Sequence, residues 1–99
     1  MLPPFISRSV LKKLRQKHRV TKDEVSECFE NYDSNHRLLK DIRPEHKTEP
    51  DTLWFIGETN NGRNLKICFI KDGSYSLKTA YDPNPDELDL FFSSQINTD

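Results

Sequence analysis

The chain has 99 residues and a formal net charge of −1, from 15 Lys and Arg against 16 Asp and Glu. Hydrophobic residues make up 33% and charged residues 31%, a composition that supports one small domain with a lean core. No apolar run approaches the roughly 20 residues that a membrane span requires, and no apolar block with a small-residue cleavage site stands near the N-terminus. We therefore expect a single-domain, soluble cytoplasmic protein with no membrane partner.

The charges are unevenly distributed along the chain. Up to Tyr81 there are 15 basic and 11 acidic residues, a balance of +4, whereas residues 82–99 carry five acids and no base. The segment Arg8–Lys22 contains seven basic residues and no acid. This asymmetry indicates either a basic face for an anionic partner, with an acidic tail that could shield it, or a solvated helix face.

Two helices are predicted in the first third of the chain. Ser7 is a suitable N-cap, and apolar residues recur on one face, so we expect a helix over residues 7–18. Thr21 and Glu24 have the spacing of a capping box, which predicts a second helix over residues 21–31.

The middle of the chain has strand and hairpin signals. Residues 37–43 form a possible strand, and residues 52–81 read as an antiparallel β-meander rich in aromatic and β-branched residues. Asn61-Gly62 and Asp72-Gly73 mark its two hairpin turns. In the last strand, strict alternation would place four side chains on one face: Tyr75, Leu77, Thr79 and Tyr81.

A last helix is predicted over residues 85–92, because Asn84 suits the N-cap and Pro85 the first helical position. Residues 93–99 are expected to fray. The predicted fold class is α+β, with two N-terminal helices, an antiparallel meander sheet of three to four strands and a C-terminal helix.

The cysteines and histidines show no metal-binding pattern. Cys28 and Cys68 each lie in apolar surroundings and have no CxxC spacing, so we expect two reduced, packed thiols. The three histidines have no ligand partner at metal-site spacing, and the sequence predicts neither a metal nor another cofactor.

Basic and aromatic residues are the best candidates for function. Basic groups bind phosphates, and aromatic side chains stack on exposed bases. RNA cleavage by its own 2′-hydroxyl needs a proton-transfer group, for which histidine is suited, and cations that stabilise charge on the phosphate. The candidate catalytic residues are His18, Arg43, His46, Arg63, Lys78 and Tyr81, and the candidate RNA-binding residues are Arg15, Lys17, Lys47, Trp54 and Lys66.

Several of these residues have an equally simple structural interpretation. His18 could pack against or cap the first helix, where a histidinium suits the helix dipole. His46 and Arg63 could be solvated loop and hairpin residues. Trp54 could belong to the core, and Tyr81 could pack against the last helix.

Short motifs along the chain resemble a known toxin family. Lys17-His18, followed by Val20-Thr21 and the Cys28–Asn31 helix end, resembles the opening of BrnT-type toxins. Trp54–Gly57, Gly62–Ile67, Gly73 and the strand to Ala80 resemble the central strands of that family, and the final helix matches as well. The resemblance covers about Lys17 to Phe92. Tyr81 stands where the family has arginine.

The resemblance implies a RelE-like fold and a bacterial ribonuclease toxin paired with a DNA-binding antitoxin, through which it could oligomerise. It would place Lys17, His18, Arg43 and Arg63 at or near the RNA site. The main alternative is a non-catalytic module that binds a nucleic acid or an acidic protein.

The ending of the chain also resembles small bacterial proteins described as ADP-ribosyl-dinitrogen-reductase hydrolases. We disfavour that function, because such hydrolases hold two metal ions with paired carboxylates and the core region of this sequence contains no such pairs.

Overall fold

The structure is a computed structural model that describes residues 1–42 and 50–95. Its elements follow the predicted order and form an α+β fold, which confirms the predicted class. The helices and strands are α1 (Arg8–Lys13), a π-helical turn (Leu14–His18), α2 (Lys22–Glu30), β1 (Leu39–Lys40), β2 (Thr52–Glu58), β3 (Asn64–Asp72), β4 (Ser74–Tyr81) and α3 (Pro85–Ser94).

The first predicted helix is present but changes its winding. The Ser7 hydroxyl accepts from the backbone N–H of Val10, as expected of an N-cap. From Leu14 the helix widens into a π-turn, and the Arg19 and Val20 N–H groups both donate to the Leu14 carbonyl. Arg19 then adopts a left-handed conformation with φ 52°, which is uncommon for a residue with a side chain. Single π-turns of this kind occur frequently at functional sites.

The capping signals of α2 and α3 are confirmed. Thr21 and Glu24 form a reciprocal capping box at α2, and Asn84 and Glu87 form another at α3, with Pro85 in its first turn. Helix α3 continues to Ser94 rather than fraying from residue 93. The Gln95 side chain bonds both the N–H and the carbonyl of Arg37, which fastens this end of the helix. Residues 96–99, predicted to fray, lie outside the described residues.

The sheet is a four-stranded antiparallel meander in the order β1-β2-β3-β4. Both predicted hairpins are present, with Gly62 at φ 85° and Gly73 at φ 74° in the turns. The possible strand over residues 37–43 is observed only as Leu39–Lys40, paired with Leu53 and Trp54 of β2. Arg43, at the end of that prediction, lies outside the described residues.

A β-bulge in β4 overturns the predicted alternation of its side chains. Cys68 pairs with Thr79, but the next β3 residue, Phe69, pairs with Leu77, so Lys78 is the extra residue. A bulge shifts the side-chain alternation by one. Tyr75 accordingly packs on Phe29 and Phe69, whereas the hydroxyl of Tyr81 reaches α3 on the other face.

Helices cover both faces of the sheet. Phe29 of α2 packs edge-on against Phe55 and Phe69, whereas Phe91 of α3 packs on Trp54, whose side chain points to the opposite face. Gly57 permits the close approach of α2, because a Cβ there would lie 2.6 Å from Cys28 Cβ. The core therefore has two layers, separated by the sheet.

None of the helices within residues 1–42 and 50–95 is long and apolar enough to cross a membrane.

Candidate functional site

The basic segment folds into α1, the π-turn and the start of α2. Its seven basic side chains are all exposed, and none of them forms an ion pair within the part of the chain that the structure describes: Arg8, Lys12, Lys13, Arg15, Lys17, Arg19 and Lys22. The charge of this segment is therefore available to an anionic partner.

Two adjoining depressions run along this segment. One, of about 560 Å³, is lined by Arg8, Leu11, Lys12, Arg15 and Gln16, which lie on one helical face. The other, of about 290 Å³, lies between that face and the start of α2 and shares Leu11 and Arg15 with the first. We call the combined surface the basic groove. Leu11 lines both depressions, and four of the five charged residues that line them are cations, the exception being Asp23. Such a cationic lining suits a phosphodiester chain.

The four acidic residues that follow β4 within the described part of the chain form no ion pair with the cations of the basic groove. Asp82 pairs with Arg63, and Glu87 pairs with Lys66, so two of them neutralise cations of the sheet instead. Asp86 and Asp89 are exposed, and neither has an ion pair within residues 1–42 and 50–95.

The Arg63 guanidinium donates all five of its N–H groups to protein oxygens. Nε and Nη2 bond the two carboxylate oxygens of Asp82 at 2.9 and 3.0 Å. Nη1 bonds Glu24 Oε2 at 3.0 Å and the Arg19 carbonyl at 3.0 Å, and Nη2 also bonds the His18 carbonyl at 3.2 Å. Since a guanidinium has five donors, none is left for a phosphate in this arrangement.

Arg63 therefore fixes the end of the π-turn. The carbonyls of His18 and Arg19 lie at a helix C-terminus, where a cation is favourable, and the left-handed Arg19 is held by the same group. Hydrogen bonding with Asp82 raises the pKa of Arg63 and lowers that of Asp82. Burial opposes ionisation of Glu24, but hydrogen bonds from the Thr21 backbone and Arg63 outweigh it and lower the pKa of this carboxyl.

His18 lies where the basic helix meets the sheet. Its half-buried ring is 5.6 Å from the ring of Tyr81, centroid to centroid, and tilted by 36°. His18 was one candidate for the cation that caps the first helix. The cation that bonds the carbonyls of His18 and Arg19 at this helix end is Arg63. The imidazole is therefore positioned by its backbone and by Tyr81.

A second cluster, centred on Lys66, lies under α3. Lys66 Nζ is 2.7 Å from Glu87 Oε2, and the Tyr81 hydroxyl donates to the same oxygen at 2.9 Å. The ammonium also lies over the Trp54 ring, 4.5 Å from its centroid, a cation–π contact. Trp54 is only 4% exposed and belongs to the core.

The ionisation of this cluster follows from its contacts. Burial favours a neutral Lys66 amine, yet the hydrogen bonds with Glu87 and Tyr81 and the nearby charges together outweigh burial, and the pKa of Lys66 is raised. Burial likewise opposes ionisation of Glu87, but hydrogen bonds from Lys66 and the Asn84 backbone leave its pKa lowered. Burial raises the pKa of the Tyr81 phenol, so Lys66 and Glu87 form an ion pair beside a neutral tyrosine.

The structure brings only some of the predicted site residues together. Tyr81 contacts both His18 and the Lys66 cluster. Lys78 is exposed at the β4 bulge, and Arg15 and Lys17 are exposed on the π-turn. The predicted loop residues Arg43, His46 and Lys47 lie outside the described residues.

Three acidic residues were missed as part of the site: Glu24, Asp82 and Glu87. The sequence analysis gives Glu24 only a capping role. The pairing of Glu24 with Arg63, just before β3, and of Glu87 with Lys66 of β3 depends on partners 39 and 21 residues away.

Both cysteines are free and buried, as expected, and burial raises the pKa of Cys28 to about 12. Within residues 1–42 and 50–95, no three His, Cys, Asp or Glu side chains are grouped so that they could hold a metal ion.

Comparison of the chain with protein-family models, with curated proteins and with solved structures finds no match.

Proposed function

We propose that this protein is a ribonuclease toxin of the BrnT and RelE kind, which binds RNA in the basic groove and cleaves it by attack of the 2′-hydroxyl. The observation that carries the proposal is the junction at His18. The basic segment, whose seven basic side chains form no ion pair within the described residues, includes the π-turn that ends at His18, and the His18 imidazole lies against Tyr81. RNA binding is proposed for the basic groove and proton transfer for His18, which lies in the same π-turn as the groove residue Arg15.

The proposed reaction needs only proton transfer and charge stabilisation. The His18 imidazole removes the proton of the 2′-hydroxyl, O2′ attacks phosphorus, and the P–O5′ bond breaks. The imidazolium then returns the proton to the leaving O5′, which gives a 2′,3′-cyclic phosphate and a 5′-hydroxyl. Arg15, Lys17 and Arg19, on or next to the π-turn of His18, would stabilise the negative charge that develops on the phosphate.

Arg63 and Tyr81 act as positioning residues in this proposal. Arg63 is committed to five protein contacts and holds the backbone of His18. The neutral Tyr81 donates its hydroxyl proton to Glu87 and presents its ring to His18. Tyr81 thereby differs from the family arginine that it replaces, which would bring a cation to this position.

A second candidate is RNA binding without cleavage. It is favoured by the ion pairs of Arg63, just before β3, and Lys66 of β3, since both cations are neutralised by carboxylates. In that case the basic groove would bind RNA and leave it intact.

The proposal includes a partner, a DNA-binding antitoxin that neutralises the activity. It is supported by the family resemblance and is tested genetically. Expression of the chain should arrest bacterial growth, and co-expression of the adjacent short reading frame should restore it.

The test is cleavage of a labelled single-stranded RNA by the purified chain and by His18→Asn, with Lys71→Gln as a control on an exposed cation outside the basic groove. We expect the parent and Lys71→Gln to cleave, and His18→Asn to lose at least about a hundredfold in rate while it still binds RNA. Salt-dependent binding with no cleavage by the parent would establish the second candidate instead.

A further inference from the structure

A cavity of about 420 Å³ lies between β1 and α3. Its apolar wall residues are Leu39, Ile42 and Leu90, the charged residues Lys40 and Asp41 also line it, and its inner end is formed by Trp54, Lys66 and Glu87. This volume falls in the range of about 300–1,000 Å³ that is typical of small-molecule sites. We call it the Lys66 cavity.

The inner end of the cavity combines a buried ion pair with an aromatic ring. The Lys66 and Glu87 side chains are only 6% and 17% exposed, and they neutralise each other. A charged ligand would therefore meet no net opposite charge. Glu87 Oε1 accepts one bond, from the Asn84 N–H, and so keeps a lone pair, and Lys66 has N–H groups besides the one that bonds Glu87. These groups offer hydrogen bonds to a neutral polar edge.

These walls and this inner end define the chemistry of the occupant. A purely aliphatic group would fill the walls but leave the ion pair with no further hydrogen bond. A flat, uncharged heterocycle can contact the apolar wall residues with its faces and hydrogen-bond the ion pair with its polar edge. Nucleobases are groups of this kind, and aromatic side chains commonly contact them.

The Lys66 cavity is linked to His18 through one side chain. The Tyr81 ring lies 5.6 Å from His18, and the Tyr81 hydroxyl donates to Glu87 at 2.9 Å. An RNA strand whose phosphate lies at His18 would therefore have a neighbouring base within reach of the cavity.

We infer that the Lys66 cavity binds a nucleobase of the RNA strand next to the cleaved bond and so determines sequence preference. The inference rests on the proposed function. Its test below uses isolated nucleosides, so that its failure can be told apart from a failure of RNA cleavage.

Trp54 is the only tryptophan in the chain and lines the cavity, so its emission reports occupancy. The four ribonucleosides are titrated separately, together with ribose 5-phosphate and N-acetyl-leucine amide, while tryptophan is excited selectively. We expect a saturable change with at least one nucleoside and none with ribose 5-phosphate.

Matched variants locate the effect. Leu90 lines the cavity and is 57% exposed, whereas Leu2 lies away from it and is 77% exposed. Because both side chains are exposed, Leu90→Tyr and Leu2→Tyr compare the same substitution at positions where the fold should accept it. Leu90→Tyr should weaken nucleoside binding at least tenfold and alter the sequence preference of cleavage, and Leu2→Tyr should do neither.

Two results would overturn the inference: equal responses of the two variants, or a response to N-acetyl-leucine amide but to no nucleoside. The second would identify the cavity as a site for an apolar side chain of a protein. If nucleosides bind as expected but RNA is not cleaved, the base site stands and the proposed ribonuclease function fails.

Discussion

Arg63 and Asp82 form a two-pronged ion pair, with Nε and Nη2 of the guanidinium at 2.9 and 3.0 Å from the two carboxylate oxygens. The pair joins the start of β3 to the residue after β4. Through its remaining N–H groups Arg63 also holds Glu24 and the last carbonyls of the π-turn. One side chain thus connects the sheet, α2 and the backbone of His18.

Arg63→Lys should destabilise the protein by about 2 kcal/mol, because an ammonium cannot reproduce the planar set of five donors. It should also slow RNA cleavage and shift its pH profile, since His18 would lose the support of its backbone. Urea unfolding and pH–rate profiles measure these effects. The matched control is Arg37→Lys at an exposed position, where we expect a change within about 0.5 kcal/mol. Equal stability of the two variants would show that the Arg63 contacts contribute little.

Lys66 and Glu87 should be strongly coupled. Glu87→Ala leaves a buried ammonium without its partner, and we expect a loss of about 3–5 kcal/mol in the free energy of unfolding. The double variant Lys66→Met/Glu87→Leu removes both charges and should be less destabilised than Glu87→Ala. A double-mutant cycle in urea, with Lys66→Met and Glu87→Leu as its single variants, gives the coupling energy. Additive effects of the two substitutions would contradict a mutually dependent pair.

Stability should decline in acid because three carboxyl groups, Glu24, Asp82 and Glu87, have lowered pKa values in the folded protein. The contribution of these carboxylates to the free energy of unfolding is complete above the unfolded-state pKa values of about 3.9–4.3. It is lost as the pH falls through the folded-state pKa values. Lys66 has a raised pKa, so its contribution is present below about pH 10.4 and lost at higher pH.

This loss of stability in acid is tested by urea unfolding between neutral pH and about pH 3. Asp82→Asn should show a shallower decline than the parent, because it removes one of the three groups. Asp72→Asn, at an exposed carboxyl with no ion pair in residues 1–42 and 50–95, should follow the parent. Identical curves for all three proteins would rule out the Asp82 contribution.

The capping residues show how much of the fold could be predicted from local sequence. Ser7, Thr21 and Asn84 were identified as N-caps because a cap and its partner lie within three or four residues. The Asn-Gly and Asp-Gly turns could be predicted for the same reason. Helix starts and hairpins are short-range features, and the order of elements followed from them.

The β4 bulge shows what local sequence did not reveal. Nothing in Ser74–Tyr81 itself distinguishes Lys78 as the extra residue, because the bulge is defined by pairing with β3. The consequence is large, since it turns Tyr81 to the opposite face from Tyr75.

The candidate site was predictable only in part. Five of the seven basic residues and His18 lie in α1 and the π-turn, where the sequence predicted one helix. Arg63 pairs with Asp82 and Glu24, and Lys66 pairs with Glu87, because segments distant in sequence meet in the fold. Residue type alone therefore could not predict whether these two cations are free to bind a phosphate.

The basic groove should bind RNA with a salt dependence that reports its charges. Lys12→Gln/Arg15→Gln removes two cations and should lower the slope of log affinity against log salt by about 1.4, at about 0.7 per phosphate contact on a single strand. The control Arg37→Gln/Lys71→Gln removes two exposed cations outside the groove and should leave the slope unchanged. Equal slopes for the two double variants would place the RNA elsewhere.

The chemistry of the cleaved ends tests the central claim most directly. An RNA oligomer is incubated with the protein in a chelating buffer, in parallel with the same oligomer carrying a single 2′-deoxy nucleotide on the 5′ side of the cleaved bond. We predict a 2′,3′-cyclic phosphate and a 5′-hydroxyl from the first oligomer and no cleavage at that bond in the second. Products with 3′-hydroxyl and 5′-phosphate ends, or cleavage of the 2′-deoxy oligomer at that bond, would contradict the proposed reaction.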